Sequence, residues 1–258
     1  MISVFYNMKR LTILTLWCLS TFALALPFDA LKQPTRPKMV IDEVAADFKL
    51  WSKSNASWKR RLITHTEMEA LEDFSISGYR MANQYLHASE TKTWGQSGEE
   101  TKAFVRTLKS GLNKMPVYKG TTYRGTWTSK AMIEQLEIGD IVYESGFLST
   151  SIIPEVARGF TIAPPNSGNR LARTLFKIKT NRRSFSIASL SDYSAEAEVV
   201  IAPSSYFKVT AIEKGSAAHY IALETVSPRA VSAGSDRLFN LYSGERLPVS
   251  RWQQVFCH

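Results

Sequence analysis

The chain has 258 residues, 44% of them hydrophobic and 21% charged, which excludes a disordered, collagen-like or many-helix membrane protein and makes one sizeable domain the default. Its formal net charge of +9 favours acidic partners: nucleic acid, an anionic membrane, an acidic protein or, locally, a pyrophosphate. A basic, solvated surface with no partner satisfies the same number.

At the start, Lys9 and Arg10 precede an apolar run from Leu11 to Ala25 that closes with Ala23-Leu24-Ala25. This pattern predicts a secretory signal peptide over 1–25, cleaved after Ala25, and hence a secreted protein. The run is shorter than the ~20 residues a spanning helix needs, and no later segment approaches that length, so no membrane span is expected in the mature chain. Cys18 leaves with the signal and Cys257 stays alone, which precludes an internal disulfide. Residues 26–38 are rich in Pro, carry no apolar period and read as a linker or a poorly ordered N-terminus.

A single domain is expected over 39–258, beginning with a helical part, 39–115. Val40, Val44, Phe48 and Trp51 make one helical set, and Phe74, Ile76, Tyr79, Tyr85 and Leu86 another. Phe104, Leu108 and Leu112 recur at helical spacing before the Pro116 boundary. From 116 to 226 the texture changes to short β-rich runs at 121–126, 141–144, 174–178, 198–202, 207–212 and 220–225, separated by turn residues. Helices first and strands afterwards predict an α+β domain with a largely antiparallel sheet system. No Gly-rich phosphate loop is present, so a nucleotide must be held in another way. The tail, 227–258, fits an extra strand, a docking segment or a secretion element. None of His65, His87, His219 and His258 has metal-ligand spacing or a Gly-x-Ser-x-Gly elbow nearby, so no metal and no Ser-His hydrolase are expected.

Three clusters stand out in the β-rich part: Tyr123-Arg124-Gly125, Phe147-Leu148-Ser149-Thr150-Ser151, and Glu196-Ala197-Glu198 followed by Val199-Val200-Ile201. Each alone describes a surface strand, a turn or a pair of solvated carboxylates. A guanidinium on a rigid strand clamps a pyrophosphate or ribose with little reorganisation. A carboxylate beside a ribose stabilises the oxocarbenium-like state of glycosidic cleavage. If 196 and 198 lie on one strand they share a face, and their repulsion raises one pKa.

In their order and spacing these clusters resemble the arginine-serine-glutamate class of ADP-ribosyltransferase toxins. The likeness extends to Val156-Ala157-Arg158-Gly159-Phe160 and Pro203-Ser204-Ser205-Tyr206-Phe207-Lys208-Val209, and more loosely to Ser77-Gly78-Tyr79 and Asn83-Gln84-Tyr85-Leu86. The resemblance implies the family's fold, a helical part followed by a two-sheet β core around an NAD cleft. It implies NAD as substrate and Arg124, Ser149, Glu196 and Glu198 as the catalytic set. Arg124, Gly125, Thr150 and Phe160 are expected to hold NAD, with Gly125 admitting the ligand to the backbone and Ser149 and Thr150 orienting Glu198. Phe160 is either the aromatic stacked on nicotinamide or a core residue; Tyr79 and Tyr85 either pack helices or touch NAD. Tyr193, in the turn 189–195 that contains Asp192, is the expected target contact, and the loop 164–168 is placed to cover bound NAD.

In that family a Glu at the position of Glu196 accompanies arginine acceptors and a Gln accompanies asparagine or nucleic-acid acceptors. The expected activity is therefore transfer of ADP-ribose from NAD to an arginine of a protein, expected to be a host protein, with a separate delivery subunit one route of entry and no nucleic-acid partner. Two alternatives stay open: an NAD glycohydrolase that uses water as acceptor, and a basic secreted binding module on an inactive fold.

Overall fold

The computed structural model describes residues 28–56, 62–88, 98–162, 170–191, 193–231 and 237–247. The signal segment, both cysteines, the loop 164–168 and Asp192 lie outside these residues. Helices fill the first part: α1 Asp29–Lys32, α2 Lys38–Ala56, α3 His65–Asp73, α4 Tyr79–Ala88 and α5 Gly98–Leu112. A capping box starts α3, where the Thr64 hydroxyl accepts from the Glu67 N–H and the Glu67 carboxylate accepts from the Thr64 N–H. Between α3 and α4 the chain keeps turning but widens to a π-helical turn, Phe74–Gly78, which no apolar period announced.

Strands follow: β1 Gly120–Ser129, β2 Ile141–Glu144, β3 Leu148–Ser151, β4 Leu171–Thr180, β5 Ser184–Ser186, β6 Glu198–Ile201, β7 Ser205–Lys214, β8 His219–Val226, β9 Leu238–Asn240 and β10 Arg246–Leu247. Short helices α6 Lys130–Gln135, α7 Pro154–Gly159 and α8 Pro228–Val231 interrupt them. Every strand run expected from sequence is a strand, and the tail contributes β9 and β10, so part of it is the extra strand. The order across the sheet is β10-β9-β2-β7-β8-β4-β1-β3-β6-β5, antiparallel except where β4 meets β8 and β2 meets β9.

The two sheets expected from the resemblance are wings of one hydrogen-bonded sheet. β1 pairs with β4 along its whole length but with β3 through Tyr123 and Ser151 alone. A seven-stranded wing and the three-stranded wing β3-β6-β5 thus meet at a single residue pair. The large wing is filled by Phe176, Ile178, Phe207, Val209, Ile221 and Leu223 under α6. The small wing is covered on one face by Leu71, Val105, Leu108 and Leu112 of α3 and α5, and on the other by Ala45 and Phe48 of α2. Val200 faces the first layer and Val199 the second, so β6 is buried on both sides and its sequence is a continuous apolar run rather than an alternating one. Each large apolar side chain enclosed here contributes about 1.5–3 kcal/mol.

The described part of the segment read as a linker, residues 28–38, is instead docked. Phe28 and Leu31 are buried with Leu175, Ala218 and Ala222. Arg36 forms a two-toothed ion pair with Glu155 at 2.8 Å on both oxygens, and the Arg158 guanidinium donates to the Gln33 carbonyl at 2.8 Å. Pro34 and Pro37 conceal this order in the sequence because a four-residue helix followed by a short proline-bearing connection is too brief to show a helical or alternating period; its anchors are isolated side chains.

Candidate active site

A cleft of about 370 Å³ opens where the two wings part, lined by residues 123–126 of β1, 149–151 of β3, α7, the π-helical turn and the turn before β6. Arg124, Gly125, Ser149, Thr150, Phe160, Tyr193, Glu196 and Glu198, far apart in sequence, all border it.

The register explains the core of the arrangement. Ser149 lies opposite Val200 and Ser151 opposite Glu198, so Ser149 and Glu198 are diagonal neighbours on one face of the β3–β6 pair. The Ser149 hydroxyl hydrogen-bonds the Glu198 carboxyl, while the Ser149 carbonyl accepts from Arg124 Nη1 at 2.7 Å. One serine thereby fixes both charged groups. Burial pushes Glu198 up to about 7; Ser149 and Arg124 oppose the shift and Glu196 adds to it. Burial also raises Glu196 and pulls Arg124 below its ordinary value, with Glu144 and Glu198 holding the guanidinium charged.

Glu196 reaches the cleft by a different route from the one the Glu-x-Glu spacing suggested. β6 begins only at Glu198, and Glu196 closes a 3₁₀ turn, Ser194–Glu196. Ala197 between them is fully buried with φ of +46°, a left-handed conformation that costs an L-residue about 1 kcal/mol. Ser151 secures this turn: its hydroxyl donates to the Glu196 carbonyl at 2.6 Å and accepts from the Ile153 N–H at 2.9 Å. The backbone reversal, not a shared strand face, brings the two carboxylates to one cleft.

Two further expectations change in their physical reason. A Cβ on Gly125 would sit 1.8 Å from the Ala157 carbonyl oxygen, so the residue must be glycine for α7 to pack on β1. The Thr150 hydroxyl does not reach Glu198; buried, it donates to the Val199 carbonyl at 2.7 Å and ties β3 to β6. Phe160, 62% exposed at the end of α7, is not a core residue. Tyr79 borders the cleft while Tyr85 packs against the helical core. Sequence reading assigned Ser75 no role and placed Ile76 in an apolar helical set, whereas the π-helical turn brings both to the cleft and leaves Ile76 exposed. Among the described residues no cluster of three His, Cys, Asp or Glu is placed to hold a metal.

A buried arginine and two carboxylates of raised pKa, held by one serine at a split in an α+β sheet, define a site for cleaving a charged glycosidic bond. The chain matches the family described as ADP-ribosyltransferase exoenzyme over residues 49–227 and belongs to it. It is 48% identical over 245 residues to Vis of Vibrio splendidus (strain 12B01), named for NAD(+)–arginine ADP-ribosyltransferase activity, covering 95% of this chain and 98% of that one. A crystal structure of Vis in complex with an inhibitor superposes with a TM-score of 0.81 at 49% identity, over 86% of this chain and all of the other. A Vis structure with agmatine superposes at 0.79. HopU1 of Pseudomonas syringae, 21% identical with a TM-score of 0.53 over 72% of this chain and 87% of its own, shares the fold. The protein is an ADP-ribosyltransferase with NAD as its substrate.

Proposed function

We propose that this is an exported toxin that transfers a single ADP-ribose from NAD to an arginine of a host protein, with Arg124, Ser149, Glu196 and Glu198 as its working residues. The observation that carries the reading is the buried Glu198, raised to about 7 and hydrogen-bonded by the serine that also holds Arg124. The identity to a relative named for arginine transfer, and the agmatine found with it, support the acceptor; the apolar run behind Lys9 and Arg10 supports export.

Arg124 anchors the pyrophosphate, and Phe160 on the cleft rim lies against the nicotinamide. The bond from the ribose anomeric carbon to nicotinamide breaks, and its electron pair leaves with the nicotinamide, neutralising the pyridinium. The ionised Glu198 stabilises the oxocarbenium-like centre and holds a ribose hydroxyl. A guanidinium nitrogen of the target then attacks the anomeric carbon, and Glu196 accepts the proton that nitrogen sheds. Tyr193, 52% exposed beside Glu196, meets the target protein.

The reading is tested by following nicotinamide release and transfer to agmatine side by side. Glu196→Gln is expected to lower transfer by about a hundredfold while NAD hydrolysis stays within about threefold of wild type. Equal loss of both reactions overturns the division of labour, and undiminished transfer removes Glu196 from the proton path.

A further inference from the structure

The turn from β2 into β3 is gripped by Asn83, Glu144 and His87, to which the proposed mechanism assigns no step, although Asn83 also borders the cleft and the charge of Glu144 acts on Arg124. Asn83, on α4, meets the Phe147 backbone with both ends of its amide: Oδ1 accepts from the Phe147 N–H at 2.7 Å and Nδ2 donates to the Phe147 carbonyl at 2.9 Å. Glu144, buried at the end of β2, accepts from the Gly146 N–H at 2.7 Å through Oε1, and the same oxygen lies 2.7 Å from His87 Nε2. A Cβ on Gly146 would stand 2.5 Å from that nitrogen and 2.8 Å from Asn83 Oδ1, so helix and turn are closer than any side chain allows. Tyr242, between β9 and β10, stacks on the His87 ring at 3.8 Å and 19°.

This grip ends one residue before β3. β3 has four residues, all paired with β6, but on the β1 side only Ser151 at its far end is paired, so no ladder pair ties its leading end to the strand that carries Arg124. Ser149, two positions past Phe147, is the residue that bonds both Arg124 and Glu198.

We propose that Asn83, Glu144 and His87 form a positioning clamp, backed by Tyr242, that sets the place of Ser149 and so aims Arg124 and Glu198 together. The proposal rests on the assignment of Glu198 as the reacting carboxylate. An outer partner that locks a ligand-bearing residue affects activity well beyond its share of stability, because misplacement by an ångström costs up to about a hundredfold. The charged and hydrogen-bonding groups facing Glu198 are Ser149 from β3, Glu196 from the preceding turn and Arg124 from β1. Slackening Ser149 removes an influence that lowers Glu198, so its titration moves upward.

The experiment measures kcat/KM for nicotinamide release against pH, with thermal melting, for the mature chain and for Asn83→Ala, His87→Phe and Glu198→Gln. In Asn83→Ala, kcat/KM is expected to fall about tenfold at pH 7 and the acid limb to rise by about half a pH unit. His87→Phe keeps a ring against Tyr242 and is expected to give about a threefold loss with the limb moved the same way, so the test survives if Asn83→Ala does not fold. A limb that stays at its wild-type position in the folded variants while melting temperature alone falls overturns the clamp. Release that persists in Glu198→Gln overturns the assignment of Glu198 instead, and with it the clamp's target.

Discussion

Glu67 and Glu198 are both buried, and the protein treats them in opposite ways. At Glu67, between α3 and α5, burial favours the neutral acid, but Lys114 at 2.6 Å, the Ser110 hydroxyl at 2.6 Å and the Thr64 N–H at 2.8 Å outweigh it and hold the carboxyl at about 2. At Glu198, burial meets one serine hydroxyl, a partly opposing arginine and a second carboxylate, and the group rises to about 7. Saturating a buried carboxylate with donors makes a structural anchor; leaving it short of them makes a group whose charge is available to a ligand. The scaffold gains stability from its ionised carboxylate, whereas the cleft gives some up.

The largest effect is expected from Glu198→Gln, which should lower the rate of nicotinamide release by about a thousandfold while making the fold more stable. The sign follows from linkage. A carboxyl raised from about 4.5 to about 7 is neutral in both states below pH 4.5, and its stabilising share is lost as pH rises through 7, costing roughly 3 kcal/mol at pH 8. An isosteric amide removes that cost, so urea unfolding at pH 8 should show a higher midpoint than wild type and at pH 4 no difference. A lower midpoint at pH 8 would mean that Glu198 is anchored like Glu67, and the contrast between the two regions would collapse.

Glu67→Gln is the reverse experiment. The Glu67 carboxyl, depressed to about 2, stabilises the fold at all pH values above about 4.5 and ceases to do so as pH falls through 2. Replacing it is expected to cost about 3 kcal/mol at pH 7 and to leave Lys114 without its partner, with KM and kcat within about twofold of wild type once folded protein is counted. Denaturation at pH 7 and at pH 2.5 checks this, since the penalty should shrink at the lower pH.

How much of this was legible beforehand depends on the range of the contacts. Arg124, Ser149 and Glu198 could be singled out because the order and spacing of their three short clusters resemble those of a known family, and β1, β2, β4, β6, β7 and β8 announced themselves by β-rich runs between turns, whereas β3 by itself looked like a turn. β5, β9 and β10 have two or three residues, too few for a period to register. The left-handed Ala197 that turns Glu196 into the cleft was hidden, because alanine is no signal for positive φ. His87 and Glu144 are 57 residues apart, and nothing local in either links an α4 histidine to a β2 carboxylate. Gly125 was noticed as a position of close approach, but its contact with the Ala157 carbonyl could not be read, since only the fold places that carbonyl against it.

Between the extremes of Glu67 and Glu198 stands Glu155, on α7. Its carboxyl lies at about 2 chiefly because Arg36 hydrogen-bonds both oxygens, with burial opposing. Here the pair ties the N-terminal strap to the helix whose Val156, Ala157 and Phe160 line the cleft, so a structural carboxylate borders the working site. Arg36 is 38% exposed, and solvent screens the pair, so Glu155→Gln is expected to cost only about 1 kcal/mol at pH 7. Its sharper effect is expected on NAD: a loosened α7 carries Phe160 away from the cleft and raises KM by about threefold with kcat unchanged, the pattern of a lost contact that is equal in ground and transition states. Arg36→Ala removes the same pair from the other side and should give the same KM. If either variant lowers kcat while KM stays put, the strap is coupled to the reacting carboxylates rather than to the nicotinamide wall, and the division between anchoring and reacting glutamates would have to be redrawn through α7.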